Sequence, residues 1–131
     1  MATIFSKIIK GEIPSFKIGE NDQFCAFLDV MPVAKGHTLI VPKKEIDYFF
    51  DMDSTLLAAS MSFSKEVATA IRRAIPCKRI GIAIIGLEVP HAHIHLVPLN
   101  TVGDINFDKP KMRMTEKELE EVASKIRTFM N

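Results

Sequence analysis

The sequence predicts an α+β fold in which helices pack on an antiparallel sheet, within a single domain covering residues 1–131. The length of 131 residues suits one domain, and a composition of 47% apolar and 25% charged residues is ordinary for a globular protein. Segments with helical periodicity alternate with short strand-like runs, in the order helix, strands, helix, strands, helix. The connections between neighbouring strands are short, which favours antiparallel pairing.

The first third of the chain is predicted to form one short helix and three strands. Residues 4–13 have apolar side chains at helical spacing, and Pro14 ends this helix. Asn21-Asp22 suits a tight hairpin turn between the first two strands. A loop over residues 29–36 leads to the third strand. The strands are predicted at residues 16–18, 23–28 and 37–41.

A long helix is predicted over residues 55–75. Asp53 or Ser54 can cap its N-terminus, and Pro76 ends it. One broad stripe along this helix is apolar or small, and it predicts the face that packs on the sheet. The stripe comprises Leu56, Ser60, Phe63, Val67, Ile71 and Ala74.

The remaining chain predicts a pair of strands and a last helix. Residues 79–86 form an apolar run typical of a fully buried strand, and residues 93–99 are its expected partner. Thr115 and Glu118 have the spacing of a capping box, in which each side chain binds the other residue's backbone N–H. The buried face of the helix that follows is expected to comprise Leu119, Val122, Ala123, Ile126 and Phe129.

The charge balance and the cysteines narrow the class of function. Lys and Arg total 17 and Asp and Glu total 16, so the net charge of +1 disfavours non-specific binding to nucleic acid or to an anionic membrane. A net charge this close to zero still allows a local binding site for a small anion. The longest uncharged apolar run, residues 80–87, is too short to span a membrane, and the N-terminus lacks signal-peptide features. Cys25 and Cys77 form no disulfide framework, which predicts buried thiols and a cytoplasmic location.

Three of the four histidines lie within five residues, as His91, His93 and His95. Alternate side chains of a strand face the same way, so the three imidazoles are expected on one face of the sheet. The small and apolar residues between and after them would then face the core. His37 begins another predicted strand and is expected to lie beside this row.

Clustered imidazoles suit nucleophilic chemistry near neutral pH. A neutral ring is a nucleophile, a charged ring is an acid, and neighbouring rings oppose each other's protonation. A neutral ring flanked by donors suits attack at phosphorus, while the donors stabilise the non-bridging oxygens. Two alternatives remain open at this point. The His-x-His pattern of His91, His93 and His95 can ligate zinc, or the histidines can have a structural or pH-sensing role.

Several segments together resemble the histidine triad family. The run from His91 to Val97 (HAHIHLV) is similar to its signature, His-x-His-x-His followed by apolar residues. Residues 4–14 (IFSKIIKGEIP) resemble its N-terminal segment. Residues 27–32 (FLDVMP) and 36–44 (GHTLIVPKK) resemble its central strands and loop. The resemblance covers roughly residues 3–99 and is strongest to the Hint-type branch, the nucleoside phosphoramidate hydrolases.

This resemblance implies covalent catalysis without a metal or other cofactor. His93 corresponds to the nucleophile, which attacks the phosphorus of a nucleoside 5′-phosphate joined to an amine or phosphate leaving group. The resulting nucleotidyl-histidine is hydrolysed by water. His95 would contact the phosphate oxygens, whereas His91 and His37 would support the ring network. The resemblance also leaves a second reading, a nucleotide-binding regulatory or sensor protein with little turnover.

The implied nucleotide site includes polar and apolar residues. Asp29 matches the acidic residue that accepts hydrogen bonds from the ribose hydroxyls, for which a carboxylate is suited. The positions that match the apolar walls of a purine pocket are Ile4, Phe5, Ile8, Phe27 and Val30. These residues can equally be ordinary core. Gly86 and Glu88 fall in the stretch that precedes the triad and contacts phosphate.

The chain departs from the family pattern at several positions. Many relatives carry two N-terminal cysteines for zinc where this chain has Thr3 and Ser6, so a zinc site of that kind is not expected. No asparagine matches the family's phosphate-contacting one. Glu88 replaces a small hydroxyl residue that helps to protonate the leaving group. A glutamate there can act as the acid if protonated, or repel the phosphate if ionised. The segment after Leu99 also differs from the Hint-type C-terminus, which helps to select substrates.

The resemblance finally implies a five-stranded antiparallel sheet with flanking helices. In this branch two copies form a homodimer whose sheet is continuous across the interface, and the helix over residues 55–75 would lie there. The expected partners are therefore a second copy of the chain and a purine nucleotide or nucleotide conjugate.

Overall fold

The computed structural model of the protein describes residues 2–130 and contains a five-stranded antiparallel sheet with helices on both faces. This confirms the predicted α+β class. The strands lie in the order β1-β2-β3-β5-β4. The elements in chain order are α1 (Ile4–Ile9), β1 (Lys17–Glu20), β2 (Phe24–Leu28), β3 (Thr38–Pro42), α2 (Ser54–Ala74), β4 (Arg79–Ala83), β5 (Ile94–Leu99) and α3 (Glu116–Arg127). Short 3-10 turns occupy Phe49–Asp51 and Val102–Ile105.

The two faces of the sheet carry separate cores because side chains alternate along each strand. Phe24, Ala26 and Leu28 of β2 belong to the main core, which α2 and α3 cover. Cys25 and Phe27 face the other way and form a smaller apolar cluster under α1. The small cluster leaves room on its face of the sheet for polar side chains.

The long helices begin and end close to where their sequences predict. The Asp53 carboxylate accepts the Leu56 N–H at 2.8 Å and caps α2. The predicted capping box of α3 is confirmed, with Thr115 N–H donating to Glu118 Oε1 at 2.9 Å and the Glu118 N–H donating to Thr115 Oγ1 at 3.1 Å. The predicted buried stripe of α2 is confirmed except for Leu56, which is half-buried. Phe129 lies beyond the end of α3 and is 38% exposed, so its assignment to the buried face was wrong.

The N-terminal elements differ in length from their predictions. Helix α1 ends at Ile9 rather than at residue 13, because the chain turns at Gly11, whose φ of 78° is left-handed. Strand β1 covers Lys17–Glu20 rather than residues 16–18. The predicted hairpin turn is confirmed, and the Asn21 side chain stabilises it by accepting the N–H groups of Gln23 and Phe24.

Strand β4 is shorter and more exposed than predicted. It ends at Ala83 rather than at residue 86, and it lies at the edge of the sheet instead of being fully buried. Ile82 is 47% exposed, and Ile84 and Ile85 beyond the strand are also exposed. An apolar run does not by itself distinguish a central strand from an edge strand, which explains the error.

A glycine fixes the entry into β3. Gly36 has a φ of 93°, and a Cβ atom there would lie 3.1 Å from the side chains of Ile75 and Pro98. Only glycine meets both the backbone and the space requirement. His37 follows directly, so this turn helps to set the position of its ring. Within residues 2–130, no helix combines the length and the hydropathy that a bilayer span requires.

Candidate active site

The triad histidines lie at the start of β5, on the face of the sheet opposite to the main core. Ala92, Ile94 and Leu96 are buried in that core, so the predicted alternation is confirmed. The strand begins at Ile94, one residue later than predicted, so His91 and His93 belong to the segment that enters it. All three imidazoles are buried.

His91 is the innermost of the three rings. It is fully buried, and both of its ring nitrogens have partners. Nε2 lies 2.8 Å from the Pro42 carbonyl oxygen, and Nδ1 lies 2.8 Å from Thr3 Oγ1. A carbonyl only accepts, so we assign the proton to Nε2 and let the Thr3 hydroxyl donate to Nδ1. Both ring nitrogens of His91 are therefore occupied by protein partners.

His93 is oriented by the backbone of His91. Its Nδ1 lies 2.9 Å from the His91 carbonyl oxygen, which requires an N–H at Nδ1. In the neutral ring, the remaining nitrogen, Nε2, then carries an unshared electron pair. The Phe5 ring packs edge-on against this imidazole, with 5.0 Å between ring centroids, and holds the ring in place. This is the arrangement that a nucleophilic imidazole requires.

A chain of hydrogen bonds fixes the protons of His37 and His95. The Val33 N–H donates to His37 Nδ1 at 3.1 Å, so the proton of His37 is on Nε2. That atom lies 2.9 Å from His95 Nδ1 and donates to it. The proton of His95 is consequently on Nε2, where it is available as a donor.

Burial keeps both of these rings neutral. It lowers the pKa of His37 from its usual 6.5 to about 3, with the neighbouring His95 and then the charge of Lys111 as further causes. It lowers the pKa of His95 to about 4, with His93 and then Lys111 contributing. Burial also raises the pKa of Asp29, whose Oδ2 lies 3.7 Å from His37 Nε2. Desolvation disfavours the charged form in each case.

A cavity of about 310 Å³ opens beside these rings. Of the predicted site residues, the cavity brings together His37, His93, His95, Asp29, Gly86 and Glu88. His91 does not line it. The cavity is also lined by residues that the sequence had not indicated, namely Ile85, Leu87, Phe107, Asp108 and Lys111.

The apolar residues predicted for a base pocket do not line this cavity. Phe5, Ile8 and Phe27 pack in the small cluster under α1. Ile4 and Val30 are about half exposed, at 51% and 55%. Their proposed contact with a base remains a prediction.

The segment after β5 forms one wall of the cavity, and the sequence analysis did not predict this wall. The Phe107 ring packs edge-on against His95 and His37, with centroid distances of 4.7 and 5.8 Å. The Met112 N–H donates to the Pro32 carbonyl oxygen at 2.8 Å, which ties this segment to the loop that carries Asp29. The sequence held no local signal for this contact, because it depends on how a loop folds back over the sheet.

The positions of the two zinc cysteines of relatives hold a hydrogen-bonded cluster here. Ser6 N–H donates to Thr3 Oγ1 at 3.0 Å, Thr3 Oγ1 contacts His91 Nδ1, and the Thr3 N–H donates to Glu45 Oε1 at 3.1 Å. Neutral hydroxyls that are already hydrogen bonded are poor replacements for thiolates as zinc ligands. The residues present therefore do not fit a zinc ion of that kind.

A different group of residues lies close enough together to share a metal ion. Asp29, His37 and His95 each offer a ligand atom, and these atoms lie within 4.8 Å of one another. This set differs from the predicted alternative of His91, His93 and His95. His37 Nε2 and His95 Nδ1 hydrogen bond to each other, so a metal ion that bound through these two atoms would have to replace that bond.

Comparison with known proteins places the chain in a family. The family model of the HIT domain matches residues 10–102. The chain is 41% identical over 98 residues to the adenosine 5′-monophosphoramidase HNT1 of Saccharomyces cerevisiae, covering 74% of this chain and 62% of the yeast protein. Fold and site define a protein with a histidine triad on an antiparallel sheet, and the chain belongs to the HIT family.

Solved structures agree with this assignment. A Hit-like protein of Bartonella henselae described as involved in cell-cycle regulation has a TM-score of 0.84 at 32% identity, with 98% of this chain and 96% of that chain covered. A zinc-bound histidine triad family protein of Mycobacterium smegmatis has a TM-score of 0.80 at 28% identity, with 98% and 93% covered. The sequence resemblance to the family is thereby confirmed.

Proposed function

We propose that the protein is a nucleoside phosphoramidase or nucleotidyl hydrolase that acts through a covalent intermediate on His93. The observation that carries this proposal is the hydrogen bond from His93 Nδ1–H to the His91 carbonyl oxygen, which in the neutral ring puts the unshared electron pair on Nε2 of a residue that lines the cavity. The yeast relative named as an adenosine 5′-monophosphoramidase supports the reaction class.

The first chemical step forms a bond between His93 Nε2 and phosphorus and breaks the bond from phosphorus to the leaving group. The leaving amine or phosphate takes up a proton as it departs. His93 becomes a cationic nucleotidyl-imidazole, and its Nδ1–H then donates to the His91 carbonyl oxygen more strongly, because hydrogen bonds from charged donors are stronger. His95 Nε2–H is the donor we assign to the non-bridging oxygens.

The second step releases the product. Water forms a bond to phosphorus, the bond to His93 Nε2 breaks, the water loses a proton, and the nucleoside 5′-monophosphate leaves. Glu88 lines the cavity and is exposed, so it can exchange protons with solvent. We propose it as the group that passes a proton to the leaving group and takes one from the water.

We propose a purine nucleotide or nucleotide conjugate as the ligand, with Asp29 at the ribose. The Asp29 Oδ1 atom accepts the Met31 N–H at 2.8 Å, which fixes the carboxylate and leaves Oδ2 at the cavity side, near His37. A fixed acceptor of this kind suits a pair of ribose hydroxyls. We propose that the base lies toward the exposed side chains of Ile4 and Val30, because Phe5, Ile8 and Phe27 are packed in the small cluster under α1.

We also propose a homodimer and a cytoplasmic location. The exposed apolar residues at and beyond the β4 edge support pairing of two copies along that strand, since an unpaired apolar edge favours association. Light scattering of the purified protein tests the dimer, and an Ile82→Lys variant should be monomeric. The free thiols of Cys25 and Cys77 suit a reducing compartment.

Hydrolysis of a fluorogenic adenosine 5′-phosphoramidate tests the central proposal. Wild type and His93→Ala are dialysed against a chelator and compared, and only wild type should turn over. AMP binding without turnover in wild type would favour the regulatory alternative. Activity that is lost on chelation and restored by zinc would favour a metalloprotein.

A further inference from the structure

Lys111 is the only residue lining the cavity, within residues 2–130, that carries a fixed positive charge. The other ionisable residues of the lining are three carboxylates, on Asp29, Glu88 and Asp108, and the histidines. His37 and His95 are neutral at pH 7 because burial lowers their pKa values to about 3 and about 4. A phosphate entering this cavity therefore meets one fixed cation, the ammonium group of Lys111.

The ammonium group of Lys111 is held in place and still has free donors. Its Nζ donates to the Phe107 carbonyl oxygen at 2.5 Å and lies 5.5 Å from the centroid of the Phe107 ring. The ring in turn packs against His95. An ammonium group has three N–H donors, so this contact leaves two for a ligand.

The charge of Lys111 is not paired with a carboxylate in the part of the chain that the structure describes. Among the residues the structure describes, no carboxylate lies at salt-bridge distance from its Nζ. The backbone beside it is anchored, since the Met112 N–H donates to the Pro32 carbonyl oxygen. Within residues 2–130, Lys111 therefore lines the cavity without a salt bridge to a carboxylate, although its charge acts on Asp29 and partly offsets the rise that burial causes in the pKa of that carboxyl.

We propose that Lys111 binds the phosphate of the nucleotide and determines the selectivity of the cavity for phosphorylated over neutral nucleosides. This inference rests on the proposed nucleotide function and deepens it. A neutral His95 can donate only one hydrogen bond to the phosphate, so a fixed cation is needed to offset the neighbouring carboxylates. The charge that builds up on the non-bridging oxygens during attack would meet the same ammonium group.

Binding of AMP and of adenosine, measured by calorimetry, tests the proposal. Lys111→Gln should weaken AMP binding about tenfold or more, the size expected for loss of a charge-assisted hydrogen bond, with adenosine affinity unchanged. Lys111→Arg keeps the charge and should stay within about threefold of wild type. Lys109→Gln is the matched control, because Lys109 lies on the same segment, bonds the Gly103 carbonyl oxygen and does not line the cavity.

The outcomes separate this proposal from the function on which it rests. AMP binding by Lys111→Gln at the wild-type level, or an equal loss with Lys109→Gln, would overturn the role of Lys111. An equal loss for AMP and adenosine would also overturn it, because the side chain would then act on the shape of the cavity. Wild type that binds both ligands but hydrolyses no phosphoramidate would refute only the hydrolase. Wild type that binds neither would refute both.

Discussion

Acidification should destabilise the protein through His37 and His95. In the folded chain both rings are neutral, because burial lowers their pKa values to about 3 and about 4, whereas in the unfolded chain they titrate near 6.5. Between pH 7 and pH 5 the unfolded state therefore takes up protons that the native state does not. Stability must fall as the pH falls through this window, and it is fully regained above the unfolded pKa.

The size of this loss of stability follows from the difference between the folded and unfolded pKa values of each histidine. Each ring contributes about 2 kcal/mol of lost unfolding free energy between pH 7 and pH 5, so the pair contributes about 4 kcal/mol as an upper figure. Burial raises the pKa of Asp29. Protonation of this carboxyl therefore stabilises the folded state as the pH falls, which opposes the effect of the two histidines.

Urea unfolding at pH 7 and pH 5 measures the effect directly. The His95→Gln variant provides the control, because its amide oxygen can accept the hydrogen bond from His37 but does not titrate. Its loss of stability over the same window should be about half that of wild type. A wild-type free energy that is unchanged between the two pH values, or a loss undiminished in His95→Gln, would refute this explanation.

Three substitutions test other contacts of the site. Thr3→Val leaves the buried Nδ1 of His91 without its donor and should cost about 1–3 kcal/mol in urea unfolding and lower kcat, whereas Thr3→Ser should restore both. Asp29→Asn should weaken AMP binding about tenfold without weakening the binding of 2′,3′-dideoxy-AMP, and equal losses for the two ligands would contradict a ribose contact. Gly36→Ala should destabilise the protein by about 1–3 kcal/mol, because its φ is 93° and its surroundings are tight. Thermal unfolding measures this loss. The control is Gly103→Ala, whose added Cβ would lie 3.9 Å from the nearest atom, and its unfolding temperature should stay close to that of wild type.

Local patterns of the sequence predicted most of the fold. The capping box at Thr115 and the buried stripe of α2 were correct because caps and helical periodicity depend on residues near in sequence. The exposure of β4 was predicted wrongly, since an apolar run at a sheet edge looks like one at its centre. Helix α1 ends earlier than predicted because the chain turns at Gly11, whereas the apolar pattern had predicted a helix up to residue 13.

The candidate site could be predicted only in part. The strand alternation indicated that the triad histidines share a face, and the turn at Gly36 made His37 a plausible neighbour. The tautomers were inaccessible from sequence, because they depend on distant partners such as Pro42 and Val33. The wall formed by Phe107 and Lys111 was missed for the same reason: only the folded chain brings residues after β5 back over the histidines.

The proposed covalent step at His93 is tested most directly by mass spectrometry of the intact protein. Wild type is mixed with excess adenosine 5′-phosphoramidate, quenched with denaturant within milliseconds to seconds, and digested to locate any added nucleotidyl group. The hydrogen bonds around His93 predict one nucleotidyl group on that residue in wild type and none in His93→Ala, which should also lack turnover. Hydrolysis that persists in His93→Ala, or an adduct on another residue, would contradict nucleophilic catalysis by His93.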